Sequence, residues 1–532
     1  MEKAIPPRGN IIGFSVSKIA KETMRSMNPA LMKALDGQFH KATSAEIDEA
    51  MQKATEAFKT YKNTYGSVRA KFLRAIADAI MELGDALIQR AMQESGLPEG
   101  RLIGERSRTV NQLQLFADLV EEGSWVEASI DTAIPDRQPL PKQDIRKMLI
   151  PIGPVVVFTA SNFPLAFSTA GGDTAAALAS GCPVVVKAHE SHLGTNAMVA
   201  GAIQVAALRT KMPDGVFSSL NGTGVELGQA LAKHPLTKAV AFTGSYRAGK
   251  ALLDTANQRA IPIPVFAEMG SINPVVLLPK ALAKRNEALA NQLVSSVNLG
   301  VGQFCTNPGL LIGMAGDHLD RLIQAMANGF DKIVPSTMLN AGICQNYESG
   351  KNKLLEKNGV QLEGISAKAG NDSTGRPTVA SVSASDFLKN KNMQGEVFGP
   401  FTLVVKCDSQ EELMEVIWSL HGQLTATLMG EEDEFINYLE VIEALKEKAG
   451  RLIFNNVPTG VEVCHSMHHG GPFPATTDGR FTSVGTAAIK RFVRPVAFQN
   501  WTANLLPLAL KDENTLGIWR TVNGKFTNAA ID

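Results

Sequence analysis

Apolar residues recur at helical spacing through the first third of the chain. Residues 43–62 open on a Thr/Ser-rich stretch able to cap a helix and then repeat apolar positions every three or four residues, which predicts a helix. Residues 67–93 repeat the pattern, with Phe72, Ile76, Ile80 and Leu87 near one stripe, and a third helix is expected from about 97 to 122. Such stripes are packing faces and carry no activity of their own. The texture changes at 130–147, which is polar and contains prolines, and then runs into Met-Leu-Ile-Pro-Ile at 148–152; this predicts an extended excursion or hairpin. From 155 onward short apolar runs alternate with helical segments. Strands are expected at 155–158, 184–186, from 216 and at 239–242, with helices at 169–180, 196–208 and 224–233. Continuous apolar strands separated by helices predict a mainly parallel sheet covered on both faces. After Pro274 the alternation restarts, with a strand at 275–278 and a helix at 283–298, and continues to Phe454, so a second α/β domain is expected. Residues 364–377 read as a polar loop, and 493–506 as an edge strand or interface.

Composition narrows this picture. A chain of 532 residues with 44% hydrophobic content can bury a large core and should divide into domains. Lys plus Arg number 52 and Asp plus Glu number 52, so overall charge gives no case for nucleic-acid binding. The five cysteines lie far apart and form no close-spaced ligand pairs, a usage that fits a reducing compartment better than a disulfide framework. The start, Met1-Glu2-Lys3, carries no apolar targeting stretch, and no segment offers the roughly 18 continuous apolar residues of a membrane span. The expectation is a cytoplasmic enzyme with no membrane association.

Candidate chemistry sits in separated segments: Thr-Ala-Ser-Asn-Phe-Pro at 159–164, Phe-Thr-Gly-Ser-Tyr-Arg-Ala-Gly at 242–249, Glu-Met-Gly-Ser at 268–271, Gly-Gln-Phe-Cys-Thr at 302–306 and Gly-Glu-Val-Phe-Gly-Pro at 395–400. Each is modest alone. An isolated cysteine between apolar runs is by default a small buried residue, a loop glutamate a solvated charge, and a glycine pair a turn. In this order, however, they resemble the aldehyde dehydrogenase superfamily over residues 40 to 490. The slightly long spacing from Glu268 to Cys305 and the late segment His-His-Gly-Gly-Pro-Phe-Pro at 468–474 resemble the branch that holds 2-oxoglutarate semialdehyde (2,5-dioxopentanoate) dehydrogenases and a fatty aldehyde dehydrogenase of luminous bacteria.

The resemblance implies roles residue by residue. Cys305 would be the nucleophile, favoured as a thiolate by nearby backbone donors, and Glu268 the general base, its pKa raised by burial. Asn162 would hold the oxyanion beside the Cys305 backbone N–H. Gly244 and Ser245 would open a helix whose N-terminus meets the cofactor pyrophosphate, with Gly249 in the same turn. Glu396 is implied at the nicotinamide ribose and Phe398 at that end of the cofactor. Lys187 would meet the adenosine ribose. Glu190 argues for NAD, while His189, Arg209 and Lys211 could compensate for an NADP phosphate, so either cofactor stays open. Two histidine clusters, at 189 and 192 and at 465, 468 and 469, fall on the cofactor and late active-site segments, so no metal is expected. His469 is read as a catalytic-pocket histidine that tunes the thiol or the coenzyme, with a structural role as the alternative. Phe163 and Phe473 are read as substrate-binding. Arg108 is the candidate clamp for a substrate carboxylate, with Arg106 pointing elsewhere because two residues along a helix do not share a face.

The resulting architecture is α/β and aldehyde dehydrogenase-like. Two Rossmann-like parallel-sheet domains are joined by a bridging β element, with cofactor segments at 1–130 and 151–273, bridging strands at 131–150, a catalytic domain at 274–465, and a late loop, interface strand and tail at 466–532. The resemblance implies a homodimer or dimer of dimers, the bridging element completing another subunit's sheet. The expected reaction is NAD- or NADP-dependent oxidation of a small aldehyde, 2-oxoglutarate semialdehyde before a fatty or other aliphatic one, through a cysteine thioester. Rivals are an acylating enzyme that releases its product to coenzyme A and a non-enzymatic protein of the same fold.

Overall fold

A computed structural model describes residues 8–531. Its first sheet is built as the alternation predicts. Five parallel strands stand in the order Val265–Glu268, Ala239–Thr243, Val155–Phe158, Val184–Lys187, Phe217–Leu220. Successive residues point to opposite faces, and both faces are covered. Val155, Val157, Val184 and Val186 pack into one core, and Val156, Val185 and Val240 into a second on the other side. Fully burying one such side chain stabilises by about 1.5–3 kcal/mol. The order reverses between Val155–Phe158 and Ala239–Thr243. In open α/β sheets ligands bind at such a switch point, beyond the carboxyl ends of the strands. The segments at 159–164 and 242–249 leave from those two ends.

The second sheet runs Gln361–Ile365, Thr378–Ser383, Phe401–Cys407, Leu310–Met314, Val275–Leu277, Gln423–Met429, Ala449–Phe454, parallel except for its first strand. A third sheet joins Val493–Gln499 to Ile145–Pro151 in an antiparallel ribbon. It then adds Ser129–Asp131 and two tail strands, Arg520–Val522 and Lys525–Thr527. No helix of the described residues is long and apolar enough to cross a membrane.

Several expectations are corrected. The stripe over 67–93 is two helices, Gly66–Glu82 and Gly84–Ser95, because Gly84 turns at φ +57°, a conformation that glycine adopts without penalty. The polar stretch at 364–377 contains the end of one strand and a two-residue strand, Thr374–Gly375, paired with Ser336–Thr337. The helix expected from 169 starts at Gly172, since the Ser168 and Thr169 hydroxyls are taken by the side chain of Asn196. A hairpin of Asn10–Ile12 and Ser15–Ser17 extends the first sheet antiparallel to Phe217–Leu220.

Candidate active site

Four loops deliver the site. Glu268 is the last residue of Val265–Glu268 and bridges to Thr476 of the late loop. Cys305 follows a turn in which Gly300, Val301 and Gly302 all have positive φ, at 56°, 58° and 64°. A side chain at position 302 would lie 2.2 Å from the Gly399 carbonyl carbon, so this turn can press against 399–400 only with glycine there. Val301, β-branched, is held in the left-handed region at a cost of about 1–3 kcal/mol, strain of a kind concentrated at functional sites. His469 is pinned through its backbone, its N–H donating to Thr482 Oγ1 and its carbonyl accepting from the Ser483 N–H, both at 2.8 Å. Asn162 leaves the switch-point strand and donates from Nδ2 to the Gln303 carbonyl at 3.1 Å, two residues before Cys305.

These loops close on one cluster. His469 Nε2 lies 3.4 Å from Cys305 Sγ and 3.1 Å from Glu268 Oε1. The other Glu268 oxygen accepts a hydrogen bond from Ser483 Oγ. Both Glu268 and His469 are buried, while Cys305 keeps partial exposure. Burial pushes the Cys305 thiol well above its ordinary value, the Glu268 charge adds to this, and Arg108 opposes it. These surroundings favour the thiol over the expected thiolate, with His469 and Glu268 close by as proton acceptors. The expected rise at Glu268 is corrected too. Burial pushes that carboxyl up, but His469, Ser483 and the Cys305 thiol together outweigh it and hold it below the usual range. The arrangement can take a proton from sulfur and hold a carboxylate ready beside it.

A wall of aromatic rings and guanidinium groups borders this cluster. Phe163 makes edge contacts with Phe167 and Phe304 at 5.2 and 5.3 Å. Arg108 lies over Phe163 and Phe167, and its Nε and Nη2 are buried with no hydrogen-bond partner. Arg106 turns away and donates to the Gly84 carbonyl at 2.8 Å. Two residues of the wall were not anticipated. Arg101 stacks over Phe163 at 4.4 Å and pairs with Glu105 at 2.9 Å. Glu105, buried, accepts from the Leu165 and Ala166 N–H groups at 2.8 and 3.0 Å, and so holds the loop that carries Asn162. The i, i+4 spacing of Arg101 and Glu105 was visible in the sequence, but it reads as a surface pair unless burial is known.

The cofactor candidates line the other side. Gly244 follows Ala239–Thr243, and Ser245 caps the helix Tyr246–Asn257, its hydroxyl accepting from the Ala248 N–H. Thr243 Oγ1 just before it is buried without a partner. A side chain at Gly249 would lie 2.7 Å from Met269, so glycine lets the helix sit close to the sheet. Lys187 and Glu190 pair at 3.0 Å, and burial lowers the Lys187 pKa. Glu396 and Phe398 line a cleft with Ser271 and Phe304. Glu396 is exposed to the cleft yet ringed by protein, which pushes its carboxyl up to about 7. A capped helix end, an orphaned hydroxyl beside it and a Lys/Glu pair at a strand end fit a dinucleotide.

Two residues are not brought to their expected places. Arg209 ends the helix Leu193–Arg209, about 24 Å along its axis from the Lys187 end, and pairs with Glu82 at 2.9 and 3.0 Å. It is not a cofactor ligand. Phe473 is half-exposed and its ring meets Tyr246, at the start of the glycine-turn helix, rather than the aromatic wall. The histidine clusters also separate. His189 and His192 stack on each other at 5.3 Å, and His465 turns to Thr486. Donor atoms able to ligate a metal converge at Glu268, Cys305 and His469.

Comparison with known proteins gives a consistent result. The pattern of the aldehyde dehydrogenase family matches residues 16–493. Alpha-ketoglutaric semialdehyde dehydrogenase 2 of Azospirillum brasilense is 49% identical over 97% of this chain and 98% of its own length. Alpha-ketoglutaric semialdehyde dehydrogenase of Acinetobacter baylyi is 46% identical over 95% and 96%. Among solved structures, betaine aldehyde dehydrogenase of Staphylococcus aureus, in complex with NAD+, superposes with a TM-score of 0.80 at 20% identity over 94% of this chain and 99% of that one.

Proposed function

The chain belongs to the aldehyde dehydrogenase family, and on that footing we propose that it oxidises 2-oxoglutarate semialdehyde, which is alpha-ketoglutaric semialdehyde, to 2-oxoglutarate. It is an NAD(P)-dependent aldehyde dehydrogenase. The observation that carries the substrate is Arg108. Two of its nitrogens are buried and unpartnered within electrostatic reach of Cys305. A buried cationic donor without a partner is costly, and a carboxylate at the far end of the substrate relieves it with aligned bonds.

In this reading Cys305 Sγ gives its proton to the Glu268–His469 pair and bonds to the aldehyde carbon. Asn162 Nδ2 and the Cys305 N–H hold the developing oxyanion. A nicotinamide held there would supply the hydride acceptor, and Cys305 would keep the oxidised carbon as a thioester. Glu268 then draws a proton from water, which attacks the thioester and releases the acid. A carboxylate already in place for water favours hydrolysis over transfer to coenzyme A. Lys187, Glu190, Ser245, Gly244, Gly249, Glu396 and Phe398 would hold the dinucleotide, with a cofactor domain of 1–130 and 151–273 and a catalytic domain of 274–465. The outer edge of Val493–Gln499 supports assembly as a homodimer or dimer of dimers. Five free cysteines support a reducing, cytoplasmic setting.

The test is kcat/KM for wild type and Arg108→Met with 2-oxoglutarate semialdehyde, succinate semialdehyde, hexanal and propanal. Losing one partner of a buried charge pair costs about 2–5 kcal/mol, so the carboxylate-bearing substrates should lose roughly 30-fold or more while the neutral aldehydes change little. Equal losses across all four would reject the clamp, and a wild-type preference for hexanal would favour a fatty aldehyde instead.

A further inference from the structure

We propose that the Cys305, His469 and Glu268 side chains form a binding site for a soft divalent cation such as zinc, and that occupancy of this site reversibly blocks the enzyme. The three donor atoms, one sulfur, one imidazole nitrogen and one carboxylate oxygen, lie within 4.8 Å of one another. Zinc bonds of about 2.3 Å to sulfur and about 2.0–2.2 Å to nitrogen and oxygen, at tetrahedral angles, separate sulfur from nitrogen by about 3.5 Å and nitrogen from oxygen by about 3.3 Å. The distances here are 3.4 and 3.1 Å, so the sulfur–nitrogen and nitrogen–oxygen pairs stand within a few tenths of an ångström of those separations.

Charge and surroundings agree. The cation displaces the thiol proton to solvent and forms a thiolate bond, so thiolate and carboxylate together neutralise its two charges. Ser483 Oγ orients the carboxylate from behind through its other oxygen. Cys305 keeps partial exposure, which leaves a fourth position for water, the three-ligand pattern of an open zinc site. Magnesium and calcium, which take oxygen ligands, are not served by this donor set. His469 Nδ1 has no partner. Outer-shell contacts to a ligating imidazole typically contribute 10- to 100-fold in affinity, so binding here is reversible rather than structural. Cation and aldehyde compete for the same sulfur, whichever aldehyde is the substrate.

The binding and labelling experiments use the full chain without added cofactor, and the inhibition experiment adds NAD. Cobalt(II) titration should give the visible bands of a tetrahedral thiolate complex at one equivalent, absent in Cys305→Ser. Zinc should slow iodoacetamide labelling of Cys305 about tenfold or more, magnesium should not, and a chelator should restore the rate. Both His469→Asn and Glu268→Gln should weaken zinc binding about tenfold or more, and in wild type zinc should inhibit competitively with aldehyde. An unchanged cobalt spectrum in Cys305→Ser, undiminished labelling in saturating zinc, or wild-type zinc affinity in either ligand variant would overturn the site. None of these readouts depends on the assignment of 2-oxoglutarate semialdehyde.

Discussion

Cys305 is a thiol whose surroundings resist its ionisation, and its reactivity should therefore carry a distinctive pH dependence. Burial and the Glu268 charge raise its pKa well above the ordinary value of 9.0, so the reactive thiolate is scarce at neutral pH and grows as pH rises. The rate of iodoacetamide labelling at Cys305 should keep climbing beyond the pH at which a free thiol levels off. A labelling inflection below about pH 7 would reject this account. At Glu190 the prediction concerns the cofactor. The carboxylate sits on Lys187, burial keeps His189 well below its usual pKa, and Arg209 is a helix length away. A 2′-phosphate there meets a like charge at a cost of about 1–4 kcal/mol. NAD should be preferred, and Glu190→Gln should raise kcat/KM with NADP roughly tenfold; an unchanged NADP/NAD ratio would remove Glu190 from this role. Cys305, Glu268 and Asn162 were legible because each stands in a short motif whose order carries information. The direction of their pKa shifts was not, because it depends on His469 and Ser483, which arrive from a loop more than 160 residues away from Cys305.

Among the elements, the helix Glu99–Glu122 connects packing to chemistry. Through Arg101 and Glu105 it grips the loop after the switch-point strand, and through Arg108 it reaches the aromatic wall beside Cys305. Glu105→Ala leaves the Leu165 and Ala166 N–H groups without an acceptor, each orphaned group costing about 1–3 kcal/mol, and removes the carboxylate partner of Arg101. The loop bearing Asn162 should then lose its position. The expected result is a fall in kcat of about tenfold or more with KM changed far less, and recovery of most of the loss in Glu105→Gln, which keeps an acceptor oxygen. Matched losses in kcat and KM, or no rescue, would assign Glu105 to general stability. Most elements were readable where pattern and local chemistry agree. Thr43 caps Ser44–Tyr61 through a capping box with Glu46, worth about 1 kcal/mol, and the apolar strands of the first sheet fall where they were expected. The hairpin of Asn10–Ile12 and Ser15–Ser17 was not readable, since three-residue strands are too short to show a period and are held by partners distant in sequence.

At the scale of the whole molecule, two seven-stranded sheets are joined by a third of five strands, made from the ribbon at Ile145–Pro151 and Val493–Gln499, Ser129–Asp131 and the tail. The tail closes over Ile130 with Ile518, Leu506 and Leu510, and Arg520, buried, donates to the carbonyls of Ala509, Asp512 and Ala529. Ending the chain after Gln499 should strip this cover from Ser129–Asp131 and yield larger, heterogeneous species by light scattering, while kcat/KM of the dispersed fraction stays within about twofold, since no tail residue reaches the catalytic cluster. A shortened chain of unchanged size would reject a protective role for the tail. That role has a counterpart in polymer chemistry. A monomer with two reactive ends grows without limit, whereas one with a single reactive end stops at two units. Here Ser129–Asp131 lies along one side of the ribbon with Arg520–Val522 beyond it, and the outermost strand, Lys525–Thr527, is three residues long and begins with a lysine, features that discourage further strand addition. Among the described residues of this sheet, Val493–Gln499 is the long open edge, so strand addition through this sheet would stop after one coupling.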